Sequence, residues 1–528
     1  MPPLTEHTES GINRSEGTRR WSTGLTHNRI RPAGYPVLSS EETLSQPFQI
    51  VHLWAKYDRH AETCHPLIYH LLDVAAVATR LWDLALSPAQ KIRLQNLMDL
   101  DDKPARQQLA LLAGLHDIGK ATPAFQNLVD TRHGVPSAAI VNSWLTGKGV
   151  DPIHARRLAS AIGGHHGRWI AAHETMVVRT GKGHWKKLQV ATCDALQQAL
   201  NVRAIALPSQ VEDLNAFAAF LSGLVSVCDW IGSNINYFPY EEREIALQAY
   251  YTRDLVQAQQ ALAGLGWLGR SPDRCQPAFE SLFPFPPNAL QRAGINVLQK
   301  LPDTPRLILI EYPTGGGKTE LALYTADWLV NRFGLSGSYI AMPTQATSNQ
   351  MYGRVSEFLE GRYPEADIQA RLIHSQAEQV LDHQPYCPSN QHEGNKSEWD
   401  AADWFATGKR ALIAPYAVGT IDQALLSVVG AKHHFVRLFG LSHKVIIFDE
   451  IHSYDIYMSV IIERLIQWLV ALESPMILLS ATLSRSARAK LLRAAGASCE
   501  DSPYTLRLTR TYGLEIIKAE AACALHST

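Results

Sequence analysis

A group of histidines and aspartates in the first 230 positions has the chemistry of a metal site. His116 and Asp117 stand together in "GLHDIGKA", directly after the apolar run "LALLAGL". Burying an unpaired carboxylate costs several kcal/mol, so the pair requires hydrogen bonds, an opposite charge or a metal ion. His70, in "HPLIYHLLDVAAVA", shares a helix face with Asp73, which could orient its imidazole. "PIHARRLASAIGGHHGRW" adds His154 and the pair His165–His166, and Asp229 interrupts an apolar helix in "LVSVCDWIGSN". A single helical histidine is usually solvated or satisfied in the core. The order His, His-Asp, His-His, Asp on otherwise apolar helices is what carries information. Imidazole and carboxylate ligands suit Mn²⁺, Fe²⁺, Co²⁺ or Ni²⁺ better than a thiolate-seeking metal.

A second chemistry lies in the other half. "RLILIEY" runs into "PTGGGKTE" and then into a helix former. Gly315, Gly316 and Gly317 let backbone N–H groups turn toward phosphate oxygens, and the following helix N-terminus favours negative charge. Lys318 would reach the β- and γ-phosphates of ATP and Thr319 would ligate Mg²⁺. The strict phosphate-loop pattern fails only at its first position, Tyr312. "KVIIF" ends in Asp449-Glu450-Ile451-His452, an acidic pair at the carboxyl end of a strand, where α/β sheets bind ligands. Asp449 can hold Mg²⁺, and Glu450 can orient and deprotonate a water. "MILLSAT" ends a third strand, and Gln291, ahead of the loop, could read an adenine edge.

Two kinds of element must position these groups. From "PFQIVHLWAKYDRH" to about residue 250, apolar residues recur at three- and four-residue spacing, which predicts an all-α domain over 47–250. Residues 251–284 read as a linker containing one helix and the Pro-rich "SPDRCQPAFESLFPFPP". Over 285–500 short apolar runs ("RLILIEY", "SYIAMP", "ALIAPY", "KVIIFDE", "MILLSAT") alternate with helical segments, which predicts an α/β domain with a parallel sheet covered on both faces. Residues 1–46 are polar and without period, a disordered leader, and 501–528 read as a tail.

Composition narrows the classes. The 528 residues carry a formal net charge of −1, so nucleic-acid binding must use local patches. The seven cysteines are scattered with no C-x-x-C pair, which excludes a disulfide framework and fits a reducing cytoplasm. The longest apolar run, Ala216 to Cys228, is too short to span a bilayer, so no membrane role is expected.

The histidine–aspartate order resembles the HD superfamily of metal-dependent phosphohydrolases, and "PTGGGKT", "DEIH" and "SAT" resemble superfamily 2 helicases. Their fusion is similar to the CRISPR-associated helicase–nucleases of type I systems, on "LWAK", "HPLIYHLLDVAAVA", "GLHDIGKA", "GGHHG", "CDWIGSN", "YPTGGGKTE", "MPTQATSNQMY", "VGTIDQALL", "FDEIHSYD" and "LLSATL". The resemblance implies an HD nuclease domain followed by a RecA-like motor domain. It implies two divalent transition-metal ions, the first held by His70, His116, Asp117 and Asp229, the second by His154, His165 and His166 with Asp117 shared. His116 and Asp117 would then be catalytic as well. The resemblance further implies cleavage of single-stranded DNA fed in the 3′→5′ direction, Lys120 near a substrate phosphate, and recruitment by a guide-RNA surveillance complex. Only 46 residues follow Thr482, too few for a second RecA-like domain, so a separate chain is expected to supply one if ATP is to be hydrolysed quickly. Two other readings compete: an HD-type nucleotide phosphohydrolase, which oligonucleotide turnover would exclude, and an ATP-gated DNA-binding or recruitment subunit, which metal-dependent cleavage would exclude.

Overall fold

The computed structural model describes residues 50–58, 62–208, 210–265, 267, 276–301, 304–364, 368, 370–373, 411–453, 456–496 and 505–508. The expected leader lies outside these residues.

The first half is helical, as its periodicity predicts. A small antiparallel hairpin, β1 (Trp54–Asp58) with β2 (Thr63–Pro66), precedes the helices and was not anticipated. Helix α1 (Leu67–Leu84) is buried along almost its whole length and forms the axis of the domain. Around it pack α2 (Asp102–Gly114), α3 (Gly134–Gly147), α4 (Pro152–Gly163), α5 (His184–Ala199) and α6 (Val211–Gly232). Helix α6 is long and apolar enough to cross a membrane by composition, but 83% of that window is buried inside the protein, which accounts for its apolarity. Helix α7 (Leu247–Gly264) runs across the expected boundary at 250. Its Tyr250, Ala258, Ala261 and Leu262 pack into the same core as α1, so the helical domain extends to Trp267.

Among the described residues the second half forms a seven-stranded parallel sheet. Its strands are β3 (Leu307–Glu311), β4 (Ser338–Met342), β5 (Arg371–Ile373), β6 (Tyr416–Thr420), β7 (Val445–Phe448), β8 (Met476–Ser480) and β9 (Thr505–Leu508), in the order β5-β6-β4-β7-β8-β3-β9. Alternate residues serve opposite faces: Ile308, Ile340 and Ile447 enter one core, while Leu309, Tyr339 and Phe448 enter the other. Two expectations shift. "ALIAPY" is not a strand: Ala411–Ile413 forms a 3-10 turn and β6 begins after Pro415, whose ring fixes φ and removes a ladder donor. β9 pairs with β3, so the expected tail supplies an edge strand.

The halves share a core. Helix α8 (His434–Leu441), from the connection between β6 and β7, lies against α6, and its Phe435, Val436, Leu438 and Phe439 join the helical domain's apolar cluster. Gly223 on α6 permits this, since a Cβ there would stand 2.3 Å from Phe439 Cβ and 2.6 Å from the Phe435 carbonyl oxygen.

Candidate metal centre and nucleotide loop

Helix α2 ends at Gly114, and the chain tightens into a 3-10 turn over Leu115–Lys120. Gly114 is required by packing, because a Cβ would meet the Leu71 carbonyl of α1 at 2.9 Å. In the 3-10 geometry residues three apart eclipse, and Lys120 Nζ lies 2.6 Å from Asp117 Oδ2. Asp117 is the centre of the site. Its Oδ2 is 3.2 Å from His70 Nε2 of α1 and 3.5 Å from His116 Nε2. Asp229 Oδ1, from the last turn of α6, is 3.4 Å from His116 Nε2 and 3.9 Å from His70 Nε2. The other carboxylate oxygen, Oδ1, is 2.8 Å from His133 Nε2 and 3.4 Å from His165 Nε2, and His166 Nε2 is 2.7 Å from His133 Nε2. Two groups of ligating atoms therefore meet at one carboxylate: His70, His116, Asp117 and Asp229 on one side, Asp117, His133, His165 and His166 on the other.

These residues fit divalent ions. Both ring nitrogens of His116 and Nε2 of His165 are buried without a hydrogen-bond partner, a costly state in an interior. Nδ1 of His165 lies 3.0 Å from the Ile162 carbonyl oxygen and Nδ1 of His133 lies 3.1 Å from that of Thr131. Donation from these Nδ1–H groups leaves each Nε2 lone pair aimed at a carboxylate oxygen, a contact that only an intervening cation or proton makes favourable. Burial and then Lys56 push the His70 imidazole down to about 4, and burial, His165 and His133 push His166 down to about 4, so both are neutral ligands at ordinary pH. Burial would raise the carboxyls of Asp117 and Asp229, but neighbouring imidazoles, with Lys120 at Asp117, hold both well below the usual carboxylate range.

The structure brings together His70, His116, Asp117, His165, His166 and Asp229, and places His133, not His154, in the second group. His154 sits in the first turn of α4, where its backbone N–H is capped by Asp151 at 3.2 Å. The expectation for His154 rests on the family resemblance alone. His133 lies just before α3, in "TRHGVPSAA", and reaches the site because Gly119 lets two segments touch: a Cβ at Gly119 would stand 2.1 Å from the His133 carbonyl oxygen. The Gly119 N–H also donates to Ser137 Oγ at 2.8 Å. Asp73 faces His70 as expected and has a second, shorter partner. Its Oδ2 pairs with His65 Nε2 at 2.8 Å and is 3.9 Å from His70 Nδ1, while the Tyr250 hydroxyl donates to its Oδ1 at 3.0 Å. His65 was not anticipated, because a histidine on a short strand before α1 carries no helical signal.

In the sheet domain the phosphate loop follows β3. Gly315 (φ +76°) and Gly317 (φ +82°) take left-handed conformations that favour glycine, and α9 (Lys318–Phe333) opens at the lysine. Lys318 Nζ donates to the carbonyls of Tyr312 (2.8 Å) and Pro313 (3.3 Å), across the mouth of the loop. Thr319 and Asp449 line one cavity behind it. Burial and then Glu450 raise the Asp449 carboxyl. Glu450 Oε2 is 3.2 Å from His452 Nδ1, which is 3.1 Å from Ser480 Oγ, so "DEIH" and "SAT" are joined through one imidazole. Gln291, the expected adenine reader, stands against the loop. Its Oε1 accepts from the Asn288 N–H at 2.9 Å and its Nε2 donates to the Gly317 carbonyl at 3.1 Å, so it braces the loop.

Comparison with known proteins agrees with this division. Residues 54–238 match the family "Cas3, HD domain" and residues 288–490 match "DEAD/DEAH box helicase". The CRISPR-associated endonuclease/helicase Cas3 of Thermus thermophilus is 35% identical over 481 residues, which are 85% of this chain and 51% of that protein. The Escherichia coli K12 protein of the same name is 28% identical over 518 residues, 85% of this chain and 56% of its own length. The crystal structure of T. fusca Cas3 superposes with a TM-score of 0.74 at 33% identity, covering 85% of this chain and 52% of that one. A chain of a structure titled as a CRISPR RNA-guided surveillance complex, pre-nicking, superposes with a TM-score of 0.64 at 28% identity, over 89% of this chain and 52% of that one. The chain spans about half the length of the curated relatives it matches. Over that length it belongs to the Cas3 nuclease/helicase family, with a helical HD domain followed by a parallel-sheet helicase domain.

Proposed function

We propose, from its place among the Cas3 nuclease/helicases, that this chain is a metal-dependent nuclease for single-stranded DNA, served by an ATP-driven motor moving 3′→5′ and acting with a CRISPR RNA-guided surveillance complex. The observation that carries the nuclease reading is the Asp117 carboxylate, with one oxygen facing each group of imidazoles. His70, His116 and Asp229 would hold one divalent ion, His133, His165 and His166 the other, and Asp117 both. Two such ions, of the Mn, Fe, Co or Ni class, lower the pKa of water and act as Lewis acids toward phosphodiester oxygens. Lys120, 2.6 Å from Asp117, adds positive charge where a DNA phosphate would enter. Burial and then Lys120 push the Lys56 ammonium down to about 8. Contacts to phosphate are sequence-blind, so no base preference is expected.

In the motor, the backbone N–H groups of Gly315–Gly317 with Lys318 would cradle the ATP phosphates, Thr319 and Asp449 would hold Mg²⁺, and Glu450 would orient water. The test is cleavage of circular single-stranded DNA in Mn²⁺, Co²⁺ or Ni²⁺ without ATP, beside Asp117→Ala. Cleavage lost in the variant supports the reading. Cleavage that persists in it, or turnover of nucleotides but not of DNA, overturns it.

A further inference from the structure

The helical domain's site is braced from outside by the helicase domain, through the residues that open α8. His433 takes a left-handed conformation (φ +59°) that turns its backbone N–H onto the Gly167 carbonyl at 2.9 Å. Gly167 closes the "GGHHG" loop that carries His165 and His166. Its own φ is +124°, and a Cβ there would stand 2.6 Å from Lys432 Cγ and 3.1 Å from His433 Cδ2, so the two segments are in close contact. The buried His433 ring lies edge-on to Trp230, centroids 5.5 Å apart, and Trp230 follows Asp229. Behind it, Trp169 lies beside His434 and donates to Ser222 of α6 at 2.7 Å, while Ser226 of α6 donates to the His165 carbonyl at 2.9 Å. One residue of the helicase domain thus touches the backbone next to ligands of the second group and the side chain next to a ligand of the first.

We infer that His433 is a positioning residue for the metal centre: the helicase domain holds the His165–His166 loop and the Asp229 end of α6 at the separation the ions require. The inference rests on the two-ion reading above and adds that the site is completed by a residue outside the HD domain. The same segment lies in the connection between β6 and β7, the strand that runs into Asp449-Glu450.

The test is Mn²⁺ binding by calorimetry to the full chain, with thermal melting of each sample. Partners that orient metal ligands typically contribute 10–100-fold in affinity. His433→Ala, which loses the ring and the left-handed preference, is expected to weaken the second ion about tenfold or more. His433→Asn tolerates the left-handed backbone and should recover part of that loss. Phe439→Ala, which loosens α8 against Gly223 without touching Gly167 or Trp230, controls for plain destabilisation: it should lower the melting temperature at least as much while leaving both ions in place. Affinity that follows melting temperature across the three variants, or unchanged binding in His433→Ala, overturns the inference and leaves the two-ion reading standing. No second ion in the unsubstituted chain overturns both.

Discussion

Gly119 lets the Leu115–Lys120 turn and the His133 segment meet, and Gly119→Ala separates them. The new Cβ would stand 2.1 Å from the His133 carbonyl oxygen and 2.5 Å from the Ser137 nitrogen, both backbone atoms that cannot swing aside. An ordinary C···O contact is about 3.3 Å, so one segment must retreat by roughly 1 Å. Overpacking of this kind costs about 1–3 kcal/mol of stability. The retreat also opens the 2.8 Å approach of His133 Nε2 to Asp117 Oδ1. Displacement by about 1 Å at a reacting centre can cost about 10²-fold in rate. Gly119→Ala should therefore remain folded, cut circular single-stranded DNA about 10²-fold more slowly in Mn²⁺, and bind a fluorescent ATP analogue as before. A folded variant that cuts within twofold of the unsubstituted chain would refute the claim that the turn positions His133.

Three further outcomes follow from the same geometry. His133→Ala should weaken the second ion by at least tenfold in a Mn²⁺ titration, whereas His154→Ala, on the capped turn of α4, should stay within twofold. Lys318→Ala should lower ATP affinity roughly 10–100-fold, from the loss of a charged hydrogen-bond donor, while ATP-independent DNA cleavage is unchanged. Lys444 is buried with its ammonium on the Leu412 and Ala414 carbonyls, and burial pushes it down to about 7. The unfolded chain, with an ordinary lysine, binds more protons than the folded one between about pH 7 and 10. The unsubstituted protein should therefore gain stability relative to Lys444→Met as pH rises through that window, by up to about 1.4 kcal/mol per pH unit. Parallel denaturation curves for the two proteins across that range would contradict it.

What the sequence discloses depends on whether a signal is local. The helical domain and the strands β3, β4, β7 and β8 are legible because continuous apolar runs mark strands buried on both faces, and spaced ones mark helices. β5 and β9 escape notice because three- and four-residue edge strands carry too little pattern. Helix α7 reads as part of a linker for a different reason: its buried face is only Tyr250, Asp254, Ala258, Ala261 and Leu262, and they pack on α1, far earlier in the chain. The metal centre divides in the same way. His70, His116, Asp117 and Asp229 stand in dense apolar surroundings that make a polar residue conspicuous, and His165–His166 stand out as a pair in "GGHHG". His133 stands in a polar loop, and its place is set by the close approach at Gly119, a contact no spacing rule encodes. The added pairing of Asp73 with His65 is likewise decided by where a short strand enters.

The central claim is that Asp117 divides its two oxygens between two metal sites. Crystals soaked in Mn²⁺ and measured at the manganese absorption edge test it directly. The account predicts two anomalous peaks flanking the Asp117 carboxylate, one among His70, His116 and Asp229 and one among His133, His165 and His166. A single peak on one side of Asp117, or a second peak beside His154, would contradict it.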